Sequence, residues 1–383
     1  MLIFSLAAGE ARAPHCSEIG EFRSGICELL LFLLQILIES WTCYIVVKYL
    51  LESAMMRTEA LCSQGNYCSA FGLLLSHTVI AILLVAIVPL RYKATIDCFN
   101  KANYILYHRK HRQTMSVTYF TMLPFTLSIM IKMIISNIGF YIKEPELYYP
   151  YNFAYFGPII IINIVAVLCS ICRQAYQEIN QELEELCTNP TANGYLLQRI
   201  DYLMNDHWYV TNFVENISSC FSIDTLLIMI DIYIQLVLFL YVTLWSMFAQ
   251  KIFSGYIWPH VAGLLEVAII TVKLVYLCYH CDRAVSQGNA TILHLQHLSS
   301  VTSNDVNAQK LIRIFTMKVN CRKAAITACG FFTINLKLLV RIIGVVLTYF
   351  LVLIQFQVDG ETSQNKKNAT TGKCLSWPCL KPV

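Results

Sequence analysis

The sequence predicts an all-α polytopic membrane protein with seven transmembrane helices, its N-terminus inside and its C-terminus outside. Three observations carry this prediction. Of 383 residues, 57% are apolar and only 14% charged, against about 25% charged in an ordinary soluble domain. The apolar residues collect in runs near the roughly 20 residues a helix needs to cross the hydrocarbon. The lysines and arginines between those runs are unevenly shared. Disorder is excluded by the apolar content, and 16 Cys, 15 Gly and 10 Pro exclude a disulfide scaffold and a collagen-like chain.

The spans fall at 26–47, 69–90, 117–141, 153–172, 225–248, 257–278 and 338–356. The second and fourth are the cleanest, since no Asp, Glu, Lys or Arg occurs between Ala60 and Leu90 or between Leu147 and Cys172. The first is the weakest: its charge-free core, Leu29–Ile38, is flanked by Glu28 and Glu39, and an interfacial segment fits it as well. Backbone groups in lipid must bond within their own segment, so the runs are helices. Alternating short segments of the kind that build a membrane barrel are missing. Pro124 and Pro158 lie inside spans, where membrane helices tolerate them as kinks.

Seven spans with an inside N-terminus place 17 lysines and arginines in the inside segments and 8 in the outside ones, as the positive-inside rule requires. Arg91–Ser116 carries most of this bias. Residues 1–25 are then a cytoplasmic N-terminus, 26–356 the seven-helix domain and 357–383 an external polar tail. The leading MLIFSLAAGEARA has a faint signal-peptide pattern without a basic start; it would place the N-terminus outside, against the loop charges.

Two inside connections are long, and long loops usually carry structure of their own. In Arg173–Leu186, apolar Tyr176, Ile179, Leu183 and Leu186 recur at three- and four-residue steps, which predicts that the fourth span continues as a helix below the membrane. Tyr195–Phe213 reads as a second amphipathic helix. Asn307–Ala328 reads as a third, with Leu311, Ile314, Phe315 and Val319 on one face and Asp305 or Asn304 as its cap. Either these are solvated extensions with one packed face, or they pack together as an assembly domain.

Catalytic motifs are missing, so no enzyme activity and no cofactor are expected. Cys169/Cys172 and Cys278/Cys281 form two CxxC pairs at the inner ends of spans. Zinc would need both pairs to converge; small polarizable residues at helix ends are the plainer reading. Cys62 with Cys68, and Cys374 with Cys379, are candidate disulfides outside. Of the sequons at Asn216, Asn289 and Asn368, only Asn368 faces outside and is a candidate for N-glycosylation. Polar residues inside spans are costly and often functional. His77, Asn137, Tyr141, Tyr241, Trp245, Trp258 and His260 in the outer halves, with Gln235 and Glu266 nearer mid-span, are candidates to line a pocket for a small organic ligand. Interfacial belts account equally for Trp245, Trp258 and Tyr141.

The last span ends TYFLVLIQF, with Thr348 and Tyr349, five apolar residues, then Gln355 and Phe356. This spacing resembles the signature of the insect gustatory receptor family, and the preceding TACGFFTINLKLL resembles the stretch before the last span in that family. The resemblance implies the insect chemoreceptor channel fold: a ligand-gated, non-selective cation channel. It implies a homo- or hetero-tetramer with related receptors, in the plasma membrane of a sensory dendrite. The last helix of each subunit would line the pore, with Gln355 and Phe356 as the gate near the outer mouth and Val352, Tyr349 and Thr348 further in. A ring of Phe closes a pore by dewetting, and a ring of amides coordinates a partly hydrated cation. The inside loops would form an anchor domain, and a small tastant would enter among the other helices. Sugar-receptor members carry Glu directly after Thr-Tyr; Phe350 stands there, which favours a bitter or general tastant. Partners are the tastant, the bilayer and related subunits, with no nucleic acid. A metabotropic seven-helix receptor would need an outside N-terminus, and a transporter would need a repeat that the sequence does not display.

Overall fold

The computed structural model describes Tyr44, Lys48 and residues 65–108, 145–188, 193–249 and 258–370. Seven helices and one hairpin run through the described residues: α1 Gly65–His108, α2 Pro145–Thr188, α3 Asn193–Cys220, α4 Ser222–Ala249, α5 Trp258–Val301, α6 Val306–Cys321, β1 Thr327–Ala328, β2 Phe332–Thr333 and α7 Leu336–Thr370. Four stretches are long and apolar enough to cross a membrane: Gly157–Thr188, Ser222–Tyr241, Gly263–Val301 and Leu336–Gln355. They overlap the predicted fourth to seventh spans, and α1 includes residues 69–90, the predicted second. Apart from Tyr44, the predicted spans 26–47 and 117–141 lie outside the described residues.

Helix length separates the molecule into two levels. At 1.5 Å per residue, the 44 residues of α2 and of α5 each extend about 66 Å, roughly twice the hydrocarbon thickness. Their far halves pack with α3 and α6 into a second bundle. The sequence periodicity gives the reason. Tyr176, Ile179, Leu183 and Leu186 are all buried, as are Leu196, Ile200, Leu203, His207, Val210, Val214 and Ile217 of α3 at three- and four-residue steps. Each fully buried Leu or Ile contributes about 1.5–3 kcal/mol.

Polar groups inside this bundle are satisfied by one another. The Thr211 hydroxyl donates to the His207 carbonyl (2.9 Å), and the Tyr176 hydroxyl donates to Thr211 Oγ1 (3.0 Å). His207 Nε2 donates to the Gly288 carbonyl (3.3 Å). Thr291 donates to Asn180 Oδ1 (2.7 Å), whose Nδ2 donates to the Gln287 carbonyl (3.1 Å). Gly288 is required by the packing, since a Cβ there would lie 2.8 Å from the Tyr176 ring. Burial pushes the His207 imidazole down to about 4, because its charged form would lose hydration.

Two expectations are corrected on the third amphipathic helix. It ends at Cys321, with Arg322 outside the helical region, and does not reach Ala328. Beyond it Ala324, Ile326 and Ala328 are buried in alternation, a strand period that helical counting passed over. Thr327 pairs with Thr333 and Ala328 with Phe332. Thr327 N donates to Ser218 Oγ (3.0 Å), tying the hairpin to α3. The buried face of α6 is Ala308, Ile312, Phe315 and Val319, at four-, three- and four-residue steps. Leu311 is only half-buried and Ile314 is exposed. Asp305 is the cap, accepting from the Asn307 and Ala308 amides at 3.0 and 3.1 Å, a contact worth about 1 kcal/mol.

Candidate functional site

The last helix differs from the others in what covers it. Leu336–Gln355 is strongly apolar, with a mean hydropathy of 2.3, yet almost none of it is buried within the chain. Leu338 and Val346 are buried and Leu339, Ile342 and Leu353 pack against the core, forming one face toward α4 and α5. Around the rest of the circumference the side chains are uncovered.

The uncovered side is not uniform. Lys337, Arg341, Gly344, Thr348, Val352 and Gln355 follow one another at three- and four-residue steps and are all exposed, so they form a single stripe along the helix. Every polar side chain of Leu336–Gln355 except Tyr349 lies on it. Beside the stripe stand Val340, Ile343, Leu347 and Leu351, all exposed and apolar. The Thr348 hydroxyl donates to the Gly344 carbonyl (2.9 Å), which satisfies it inside the helix. Three of the five predicted gate and pore residues, Thr348, Val352 and Gln355, thus share one line. Tyr349 sits about 100° round from Thr348 and meets the Tyr233 ring of α4 edge-on, centroids 6.2 Å apart. Phe356 belongs to α7, and its side chain lies outside what the structure describes.

Three of the predicted pocket residues lie on α4 and α5. Gln235 and Tyr241 of α4 and Glu266 of α5 are all buried. Gln235 Nε2 donates to Asp231 Oδ2 at 2.8 Å, one turn apart on the same helix. The helices cross closely here: a Cβ on Gly263 would lie 2.4 Å from Thr243 Oγ1. Tyr241 and Glu266 lie two and three residues from that crossing. His77, Trp245, Trp258 and His260 are on α1, α4 and α5, with side chains outside the described set. Asn137, Tyr141, Cys62 and the Cys374–Cys379 pair fall outside the described residues; Cys68 lies on α1 with its side chain outside the described set, and Asn368 lies on α7.

Sequence reading missed four features of this region. The pairing of Asp231 with Gln235 is one of them. Tyr233, Gly263 and the lower stripe residue Lys337 were not singled out. The three- and four-residue step from Lys337 to Gln355 was the available signal. The two CxxC pairs do meet at one point, with Cys169 and Cys281 Sγ atoms 3.9 Å apart and both buried. No cluster of three or more metal-ligating side chains forms among the described residues.

Comparisons with known proteins agree with this architecture. The chain matches the family described as 7tm chemosensory receptor over residues 15–359. It is 33% identical over 87 residues to gustatory receptor 68a of Drosophila melanogaster, a stretch that spans 23% of this chain and 22% of that protein. Its fold is similar to that of the insect olfactory receptor OR5 from Machilis hrabei, with a TM-score of 0.62 and 15% identity over 90% of this chain and 93% of that one. The same receptor in complex with eugenol superimposes with a TM-score of 0.53 over the same shares of the two chains.

Proposed function

Because the chain belongs to the 7tm chemosensory receptor family, we propose that it is a gustatory receptor working as a ligand-gated, non-selective cation channel. The observation that carries this reading is the polar stripe on the uncovered side of α7. A polar face on a membrane helix is costly against lipid and stable against water. Copies of the chain arranged around an axis would turn Lys337, Arg341, Thr348 and Gln355 toward that water and leave Val340, Leu347 and Leu351 to lipid or to neighbouring subunits.

Tetrameric assembly with identical or related subunits fits the uncovered helix. Gln355 and Phe356 then form the gate near the outer mouth, with Val352 and Thr348 below. The N-terminus is inside, and the protein resides in the plasma membrane of a sensory neuron. The ligand is a small organic tastant, and Phe350 favours a bitter or general compound over a sugar. The similar olfactory receptor takes eugenol, a small aromatic; Gln235, Tyr241 and Glu266 offer hydrogen-bonding and stacking groups of the kind such a ligand needs. Tyr233 stands two residues from both Asp231 and Gln235 and touches Tyr349, so a ligand that shifts α4 acts directly on α7.

Whole-cell recording from cells expressing the receptor, challenged with a tastant panel under G-protein blockade, tests the reading. Currents persist under the blockade, and Phe356→Ala raises the resting leak. Responses that vanish with the blockade identify a metabotropic receptor instead.

A further inference from the structure

At the opposite end of the spans from the proposed gate lies a cavity of about 410 Å³, between the end of α3, the start of α4 and the hairpin. Its volume is within the range of small-ligand sites, about 300–1,000 Å³. Lys323, Ser218, Ser222 and Thr327 line it, with the Cys329–Gly330 turn at its edge. Glu215 also faces it, but that carboxylate is held by the Arg322 guanidinium through both oxygens. Arg322 in turn lies over the Trp208 ring, 4.4 Å from its centroid. The Glu215 charge is therefore compensated. Lys323 is exposed and makes no ion pair among the described residues, so its ammonium gives the cavity a positive character.

The cavity stands at a defined depth. Ser222 is both a cavity wall and the first residue of the apolar stretch Ser222–Tyr241. The hairpin leads into the apolar stretch that begins at Leu336. Two spans therefore start at this level, where hydrocarbon gives way to headgroups. The hairpin tip points an aromatic residue outward there. Phe331 is 77% exposed, and its amide donates to the Ala328 carbonyl (3.0 Å), closing the turn. Cys329 and Gly330 both have positive φ, 51° and 74°. Two such residues make the tight hairpin turn usually built from Asn-Gly. Cys in that conformation is strained, and the hydrogen bonds of Ser218 to the Thr327 backbone hold it in place. The strained turn presents Phe331 beside the cavity and outside the core. Ile223, 48% exposed at the start of α4, extends the apolar surface.

We propose that this cavity holds the headgroup of an anionic glycerophospholipid from the adjoining leaflet. Lys323 binds the phosphate, and Phe331 enters among the acyl chains. Charge complementarity and depth in the membrane together select a lipid over a soluble anion. The proposal rests on α4 and α7 crossing the bilayer, and with the orientation proposed above the leaflet is the cytoplasmic one, where anionic lipids concentrate. Lipid retention is measured without current, so its failure is distinguishable from failure of the channel reading.

The test uses the full-length receptor in nanodiscs of phosphatidylcholine and phosphatidylserine, with bound lipid counted by native mass spectrometry after release. The wild type retains phosphatidylserine over phosphatidylcholine. Lys323→Gln lowers that retention about fivefold, the effect of removing one basic contact. Phe331→Ser, at an exposed tip, lowers it while leaving competition by soluble glycerophosphoserine unchanged. Size-exclusion profiles verify that both variants fold. Equal retention of the two lipids by the wild type, or undiminished retention by Lys323→Gln, overturns the proposal. So does Phe331→Ser altering subunit association with lipid retention intact, which would assign the tip to a second copy of the chain.

Discussion

The bundle of α2, α3, α5 and α6 and the helix α7 are both rich in apolar residues, yet they solve opposite problems. In the bundle, Tyr176, Phe213 and Phe315 are wholly buried, and the Tyr176–Thr211–His207–Gly288 chain closes its own hydrogen bonds. Along α7 the more apolar stretch stays bare, and its polar groups line up where this chain covers nothing. The first region is complete within one subunit. The second, in the proposed assembly, is completed by lipid, water and other subunits. Stability is therefore expected to reside in the bundle and conductance in α7.

The two glycines Gly288 and Gly344 give the largest contrast. A side chain at Gly288 strikes the Tyr176 ring, whereas a Cβ on Gly344 meets nothing within 4 Å. Gly288→Leu is expected to abolish surface expression, since overpacking a close helix contact by several carbons costs 3 kcal/mol or more, at or above the about 1–3 kcal/mol of a typical overpacked core. Gly344→Ala is expected to leave expression unchanged and to alter single-channel conductance. Surface biotinylation with patch recording reads both; equal expression of the two variants would erase the distinction.

A smaller effect comes from pH. The imidazole of His207 is held neutral when folded, down to about 4, against 6.5 for the free group. The unfolded state therefore binds the proton first. Stability contributed by the neutral ring is complete above about pH 6.5 and is lost as pH falls toward 4, at about 1.4 kcal/mol per unit. Thermal unfolding of the purified receptor should fall across that window, and His207→Gln should flatten the slope. Currents carried by α7 are not expected to follow the same titration.

The same contrast explains how much was legible in the sequence. Long periodic apolar runs announce themselves, so α2 and its extension through Tyr176, Ile179, Leu183 and Leu186 were readable, as was α3. The family likeness rested on four residues of α7 and extended correctly over most of the chain. Features made by two segments meeting were hidden. Gly263 and Gly288 look like any helical glycine until Thr243 and Tyr176 stand opposite them. The strand period of Ala324, Ile326 and Ala328 is too short to outvote the helix before it. The pocket candidates were chosen by polarity within spans, which reveals depth but not direction. Gln235, Tyr241 and Glu266 are buried within the chain, and a single sequence cannot show which partner each faces. The stripe on α7 was countable, yet its meaning depends on knowing which side of the helix the rest of the chain leaves bare.

Cysteine accessibility along α7 tests the central claim most directly. Single cysteines at Thr348, Val352 and Gln355, and at Leu347 and Leu351 beside them, are compared with the parent receptor while a cationic thiol reagent is applied during tastant-evoked current. The account predicts progressive block at positions 348, 352 and 355 and none at 347 and 351. Block at Leu347 and Leu351 with Thr348, Val352 and Gln355 protected, or no block anywhere, would contradict it.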